Sequence, residues 1–341
     1  MNPKHKPLRF LTTDTYDATL NLATEELLVN ADDGRDVIML WQNDPVVVVG
    51  RHQNTELQVD RAYCAARNIV VVRRLSGGGA VYHDRGNLCY TVITRNSQGG
   101  APDFERFARP VIEALQRLGV RDARLSGRND LCVGDRKFSG LAQYRHGTTL
   151  MQHGALLFDT DLSVLGQALR PKRRQIDLLP EHPGVSSHAA RVTNISEHVA
   201  VDFEEFRAIL TECFTQGAHV EQRPLTDDEH AHAARLADER YRTNAWNWGA
   251  SPHYDLRAEA LTTAGTVLLC VALDRAGMIE AARLYGDYFE REQPVARLEE
   301  SLRGMTPAQA AARAPELEAA RFVAGLSDHD LAALVSALEP A

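Results

Sequence analysis

Lysine is scarce in this chain. Of its 38 basic residues only Lys4, Lys6, Lys137 and Lys172 are lysines, against 34 arginines. Lys4 and Lys6 lie in the N-terminal tail and Lys172 in the charged run "PKRRQ", so Lys137 alone stands among Gly, Asn, Asp and Ser residues. Where arginine is the default cation, a retained lysine points to a place that needs a compact ammonium rather than a planar guanidinium. Long apolar runs are also missing. Unbroken aliphatic stretches such as Val46–Val49 are far short of a membrane helix, and the opening "MNPKHKPLRF" has no apolar signal region, so the expected location is the cytoplasm. Cysteines are few, odd in number and scattered (Cys64, Cys89, Cys132, Cys213, Cys270), with no Cys-x-x-Cys pair; neither a disulfide framework nor a zinc site is indicated. A net charge of −8 and a pI near 5.9 argue against a protein that coats nucleic acid or an anionic membrane, and leave room for a local basic pocket.

What is present is an ordinary folded protein of 341 residues, 44% hydrophobic and 25% charged, long enough for one large domain or two. Leu20, Ala23 and Leu27, with Leu22 and Leu28, recur at helical spacing and predict an amphipathic helix over 17–30, capped at Asp14 or Thr15, with Asn21 and Glu25 sharing one face. The runs "VIML", "VVVVG", "IVVVRR" and "LCYTVI", separated by Gly, Asn, Asp and Pro, predict buried strands. A helix over 104–118, kinked or restarted at Pro110 and stopped by Gly119, and another over 203–214 complete a mixed pattern without a regular strand–helix repeat. Beyond Thr226 come a charged helical stretch and "TNAWNWGASPHYD", which reads as a connector. Two alternating runs and Ala/Leu/Glu-rich helices follow. The expected division is 1–243, a linker over 244–258, and 259–341.

The strongest local signal is "RRLSGGGAVYHDRGN", from Arg73 to Asn87, between two β runs. Three consecutive glycines suit a backbone that bends sharply or is approached closely. Exposed N–H groups beside Arg73 and Arg74 would take a phosphate or a carboxylate. No Gly-Lys-Ser/Thr closes the loop and Tyr82 holds the third glycine position of a dinucleotide fingerprint, so neither phosphate motif applies. The alternative at this point is a Gly-rich hairpin with its arginines in solvent.

A second cluster, "SGRNDLCVGDRKFSGLAQ", reads as a hairpin turning near Gly134-Asp135, with Asn129 and Asp130 on one arm and Lys137 on the other. That sets a cation beside a carboxylate, which could equally be an ordinary surface ion pair. In "HGALLFDTDL", His153 and Gly154 precede a further β run. "PKRRQ" reads as a solvated face; His230 and His232 are spaced i, i+2 and do not share a helix face as metal ligands would. Cys89 and Cys132 read as core thiols.

Taken in order, "LRFLTTDTYDATLNLATEELL", "VVVVGRHQN", "RRLSGGGAVYHDRGN", "GRNDL", "GDRKFSG", "HGALL" and "RVTNISEH", then more weakly "WNWGASP" and "ARLYGDYF", resemble lipoate–protein ligase A of the biotin/lipoate ligase superfamily over nearly the whole chain. The resemblance implies an α/β (α+β) catalytic domain with mixed β-sheets and a small α/β C-terminal accessory domain. It implies use of Mg²⁺-ATP to convert lipoate or octanoate to an acyl adenylate, with release of pyrophosphate. Acyl transfer then goes to a lysine of apo-lipoyl domains, in the E2 subunits of 2-oxo-acid dehydrogenases or the glycine-cleavage H protein. No nucleic acid or membrane partner is implied.

By the same correspondence Lys137 is the catalytic cation between the carboxylate and the α-phosphate. Arg74, Gly79, Ala80, Val81, Tyr82, Asn129 and Asp130 join Lys137 on ATP, with Asp130 the candidate Mg²⁺ ligand. Arg74, Ser76, Gly77, Gly78, Gly79, Lys137 and His153 line the lipoate and adenylate pocket. Departures from the family pattern are Leu141 after Gly140, Ala155 in place of a frequent Thr, and Asn244-Ala245 before the Trp-Asn-Trp-Gly segment. Competing readings are an octanoyl- or lipoyl-transferase, which needs an accessible thiol, biotin ligase, and a lipoate- or carrier-binding protein without turnover.

Overall fold

The computed structural model describes residues 7–31, 33–95, 97, 104–127, 129–169, 176–177, 192–249, 254–291 and 293–340. "PKRRQ", with Lys172, lies outside them. The elements in chain order are β1 (Leu8–Thr12), α1 (Ala18–Asn30), β2 (Val37–Trp41), β3 (Val46–Val49), α2 (Thr55–Gln58), α3 (Arg61–Ala66), β4 (Val70–Arg73), β5 (Val81–His83), β6 (Asn87–Thr94), α4 (Glu105–Arg117), β7 (Ala123–Ser126), β8 (Asp130–Val133), β9 (Arg136–His146), β10 (Thr149–Leu157), α5 (Leu162–Ala168), β11 (Ile176–Asp177), α6 (Phe203–Thr215), β12 (Val220–Gln222) and α7 (Asp227–Leu236). A short π-helical turn, Ala237–Tyr241, leads to α8 (Asn244–Asn247), and then come β13 (Leu256–Thr262), β14 (Gly265–Leu273), β15 (Ile279–Gly286), α9 (Val295–Ser301), α10 (Pro307–Arg313), α11 (Asp328–Ser336) and β16 (Glu339–Pro340).

Eight strands form a mixed sheet in the order β12-β1-β2-β6-β10-β9-β8-β7, and β4-β3-β5 form a second, smaller sheet. One face of the large sheet packs Leu88, Tyr90, Leu141 and Leu156 against α4 and α6. The other face, with Met39, Cys89, Ile93 and Met151, packs against α1, α7 and the inward valines of the small sheet, Val46, Val48 and Val72. The far side of the small sheet, with Val47, Val49 and Tyr82, is covered by α3 and α5 residues. The four-valine run is therefore buried on both faces, which explains why it is continuous rather than alternating.

Three sequence expectations change here. The first helix is capped by Asp17, whose carboxylate accepts from the Thr19 N–H at 2.8 Å, and not by Asp14 or Thr15. It is also not amphipathic. Lying between two sheets, it buries Asn21, Glu25 and Glu26 along with its leucines, and a helix enclosed all round need not show a polar stripe. Helix α4 is continuous through Pro110 and is not restarted there, with Phe107, Val111, Ala114 and Leu115 as its buried stripe.

The segment expected to be a connector divides. Asn247 Oδ1 accepts from the Arg73 N–H at 2.9 Å and the Trp246 indole donates to the Arg73 carbonyl at 2.8 Å, so α8 is fastened to β4. β13 begins at Leu256, inside the expected linker. From there β13, β14 and β15 form an antiparallel meander whose inner face, with Val267, Leu269 and Leu284, packs on α9, α10 and α11 as a separate core.

Candidate active site

Register builds the site. In β10 the side chains of His153 and Ala155 point to the α1 side of the large sheet, opposite Thr91 and Cys89 of β6 and opposite Ala142 and Gly140 of β9. The β8–β9 hairpin turns at Gly134, whose φ of +61° suits glycine, and a register shift around Cys132 places Lys137 against Asp130. The Lys137 ammonium meets Asp130 Oδ1 at 2.8 Å, each side chain about one third exposed. A Cβ built on Gly140 would come within 3.1 Å of Lys137 Nζ. The ammonium thus lies on the same sheet face as His153. The predicted hairpin, and its cation beside a carboxylate, are found as expected.

His153 ties this face to the Gly-rich loop. Its Nε2 is 2.6 Å from Ser76 Oγ and its Nδ1 is 2.8 Å from Glu25 Oε1. The loop from Ser76 to Gly79 follows β4 and is bound from beneath: Arg74 donates from Nε to Ser76 Oγ at 2.9 Å, from Nη1 to the Val48 carbonyl at 3.2 Å, and from Nη2 to the Gly77 and Gly79 carbonyls at 2.6 and 2.9 Å. Burial, partly opposed by the attraction of Glu25, pushes the Arg74 pKa down to about 10; the guanidinium still carries its charge at neutral pH. Arg73 donates to the carbonyls of Gly50, Arg51, Gln53 and Trp246. Both arginines are buried, so the reading of a hairpin with arginines in solvent is overturned. The Arg74 charge sits under the loop and the Arg73 charge among the carbonyls of Gly50, Gln53 and Trp246, and neither is presented outward.

Gly77 and Gly78 are buried, whereas Gly79 and Ala80 at the end of the loop are only half-buried. Among the described residues the N–H groups of Gly77, Gly79 and Ala80 have no hydrogen-bond partner, an arrangement suited to an anion. Gly78 has φ +89°, and a Cβ on Gly50 would stand 1.9 Å from the Gly78 carbonyl oxygen, so two glycines are required for the loop to seat. Ala80 and Val81 are half-buried and Tyr82 is buried among Val47, Val49 and Cys64; Tyr82 can reach a ligand there only through its backbone.

Asn129, expected on the nucleotide, is held by the hairpin backbone. Asn129 donates from Nδ2 to the Leu141 carbonyl at 2.5 Å and accepts the Leu141 N–H at 2.8 Å, which fixes the base of the hairpin. Leu141 itself points into the core on the opposite sheet face from Lys137, whereas Ala155 faces the site. Among the described residues no group of three His, Cys, Asp or Glu could hold a metal ion; His230 and His232 are exposed.

Sequence reasoning missed the contacts made by the β15–α9 loop. The Gly78 N–H donates to the Tyr288 carbonyl at 3.3 Å, and a Cβ on Gly77 would lie 2.1 Å from that oxygen. Phe289 reaches into the core beneath α4, its ring 5.4 Å from Phe104. Nothing in "LYGDYF" alone announces this, because both partners are distant in sequence. Lys137 lines neither of two open cavities of about 430 and 450 Å³: the smaller is bounded by Gly134, Asp135 and Arg136 of the β8–β9 turn with His198, the larger by Trp246, Arg51 and Tyr285. The five cysteines are all buried and unpaired.

Residues 17–215 match the family described as the lipoyl protein ligase A/B catalytic domain. Lipoate–protein ligase 1 of Staphylococcus aureus is 37% identical over 286 residues, covering 83% of this chain and 85% of that protein. Among solved structures, a lipoate-protein ligase A bound with ATP superimposes with a TM-score of 0.61 at 27% identity, over 72% of this chain and 99% of its own. A bi-partite lipoate protein ligase from Thermoplasma acidophilum, studied with its E2 lipoyl domain, gives a TM-score of 0.61 at 28% identity, over 73% of this chain and 98% of its own.

Proposed function

The chain belongs to the lipoyl protein ligase family and is a lipoate–protein ligase, and we propose that Lys137 and the Gly-rich loop form its adenylation site. The observation that carries this reading is the placement of the interior lysine on the sheet face that His153 ties to the loop. Activation requires a lipoate carboxylate oxygen to attack the α-phosphorus of ATP, forming a C–O–P linkage as the bond to pyrophosphate breaks. Two anions must meet for this, and unit charges about 4 Å apart interact by roughly 4 kcal/mol at an effective dielectric of 20. The Lys137 ammonium reverses the sign of that term, and a compact cation fits between the reacting groups better than a guanidinium fork. The unpartnered N–H groups of the half-buried Gly79 and Ala80 take phosphate oxygens, with the buried Arg74 charge beneath them.

Mg²⁺ arrives with ATP, held chiefly by the phosphates. Asp130 can offer the oxygen that Lys137 does not use. In the second step the acceptor lysine amine attacks the acyl carbon and AMP leaves. The acceptors are lipoyl domains of E2 subunits and the glycine-cleavage H protein, and the setting is the cytoplasm. The catalytic domain extends to α8, and the accessory domain is built on the β13–β15 meander, to whose edge β11 adds in parallel with β13. No helix among the described residues is long and apolar enough to cross a membrane.

The transferase alternative needs a reactive thiolate. Burial pushes the thiol pKa values of Cys89 and Cys132 up, the opposite of what such a nucleophile requires. Incubation with lipoate, Mg²⁺-ATP and an apo-lipoyl domain tests the reading: ATP-dependent pyrophosphate release with a modified lysine is expected. Acyl exchange without ATP would establish a transferase, and neither product would leave a binding protein.

A further inference from the structure

Arg73 is 8% exposed and pairs with no carboxylate among the described residues; neutral oxygens surround its guanidinium. Nη1 donates to the carbonyls of Gly50, Arg51 and Gln53 at 2.8, 3.1 and 2.7 Å, and Nη2 to Thr55 Oγ1 at 2.6 Å. One side chain thus gathers loop 50–54 and the first residue of α2. On its other side Nε donates to the Trp246 carbonyl at 2.9 Å and Nη2 to the Asn247 carbonyl at 3.3 Å, while Asn247 Oδ1 takes the Arg73 N–H. Asn247 Nδ2 donates to the Tyr241 carbonyl at 2.6 Å, so α8 is held at both ends of that amide.

A buried loop without strand partners needs donors for its carbonyls. A guanidinium supplies five N–H groups in a planar fork, which the single nitrogen of a lysine cannot spread over so many acceptors. Both elements gathered in this way carry the β13–β15 meander. Helix α8 is the last described element before β13, so the chain departs for the meander from a root fixed at Arg73. Loop 50–54 is its seat: the His52 carbonyl accepts the Gly286 N–H at 2.7 Å, and the His52 ring stacks on Tyr288 with centroids 4.7 Å apart. Seat and meander both reach the Gly-rich loop, through the Arg51 N–H to the Ser76 carbonyl at 2.8 Å and the Tyr288 carbonyl to the Gly78 N–H at 3.3 Å.

We propose that Arg73 is a positioning residue for the C-terminal domain: together with Asn247 it fixes both the root from which that domain departs and the seat on which it rests, and so sets it against the Gly-rich loop. All three nitrogens of the guanidinium face protein oxygens, so Arg73 acts through the elements it holds. The expected effect on ATP rests on reading the Gly-rich loop as the nucleotide site.

The test uses the full chain carrying Arg73→Lys, which keeps the charge and loses the fork. Thr55→Val removes only the hydroxyl that accepts from Arg73 and donates to the Asn247 carbonyl; it serves should the first variant fail to fold, with Thr55→Ser as its conservative rescue. The readouts are amide hydrogen exchange by peptide, KM and kcat for ATP in pyrophosphate release, and a double-mutant cycle with His52→Ala, which takes the ring from the seat. Expected for Arg73→Lys are faster exchange confined to residues 50–57 and 284–290, and a KM for ATP raised about 10-fold at nearly unchanged kcat, as for coupling between two sites. Thr55→Val should show the same pattern more weakly, and Thr55→Ser should behave as wild type. In the His52→Ala background Arg73→Lys should add little to KM. Wild-type exchange at 284–290 overturns the proposal, as does faster exchange that extends through α4 and α6, which would make Arg73 merely structural. Effects on KM that simply add in the cycle overturn it too, because Arg73 would then act elsewhere than through the seat. Gly78→Val in the same assay separates the two levels. If it raises KM while Arg73→Lys does not, the positioning role fails; if neither raises KM while 284–290 loosens, the nucleotide reading of the loop fails and the anchor stands.

Discussion

A Cβ on Gly140 would stand 3.1 Å from the Lys137 ammonium nitrogen and 3.3 Å from its Cε. The bare glycine leaves the space in which that ammonium lies beside Asp130. Gly140→Ala should therefore displace the cation by a few tenths of an ångström while the flexible lysine stem spares the fold. Small misplacements of reacting groups are costly in rate, and adenylation kcat should fall about 10-fold with little change in thermal midpoint. Stopped-flow or steady-state pyrophosphate release decides this, and a wild-type rate would show that the lysine acts from another position.

Lys137→Ala should abolish measurable adenylate formation, a loss on the order of 10²-fold or more, as expected for removal of a charge aimed at the transition state. Stability should barely move. The Lys137–Asp130 pair is about one third exposed on each side, and such pairs contribute about 1 kcal/mol at most. Lys137→Arg should rescue little, because the charge is retained in the wrong shape. Near-normal adenylation by the alanine variant would remove the mechanism.

Gly78→Val tests the loop directly. Gly78 holds φ +89° and a Cβ there would lie 3.0 Å from Arg74 Nη2, so a β-branched residue must either leave this conformation or displace the guanidinium that holds the loop. ATP affinity, measured by calorimetry or by KM, should drop at least 10-fold. Wild-type affinity would mean that nucleotide does not depend on this backbone geometry.

Local signals carried much of this site. The β8–β9 hairpin was legible because Gly134-Asp135 sits between two alternating arms, and the glycine run because nothing in ordinary packing calls for it. What was not legible depends on residues distant in sequence. Glu25 was visible only as a polar residue sharing a helix face with Asn21. Its meaning comes from His153 and Thr91, which reach it through strand register. Arg73 and Arg74 looked like exposed anion binders because sequence gives their charge but not the carbonyls of Gly50, Gln53, Gly77 and Gly79 that surround them. The connector misread at Trp246 and Asn247 has the same origin: a Trp/Gly/Pro-rich composition resembles a linker until β4 is seen to bind it.

The His52 ring joins the two parts of the molecule and makes their contact sensitive to acid. It stacks on Tyr288 with ring centroids 4.7 Å apart, and its backbone carbonyl accepts from the Gly286 N–H at 2.7 Å. Burial, reinforced by Arg51 and Arg73, lowers its pKa to about 3, and the Glu290 carboxylate 3.8 Å away does not offset this. A ring whose pKa is depressed on folding takes up its proton in the unfolded chain first. The stability it contributes is therefore complete above about pH 6.5 and is lost as the pH falls toward 3. At pH 5 the loss approaches roughly 2 kcal/mol, from about 1.5 units at 1.36 kcal/mol each. His83, lowered to about 3 chiefly by burial, acts in the same direction, so the comparison must be between wild type and His52→Gln, which share it. The thermal midpoint of wild type should fall more steeply between pH 7 and pH 5 than that of the variant, and parallel slopes would show that His52 is not held neutral by this contact.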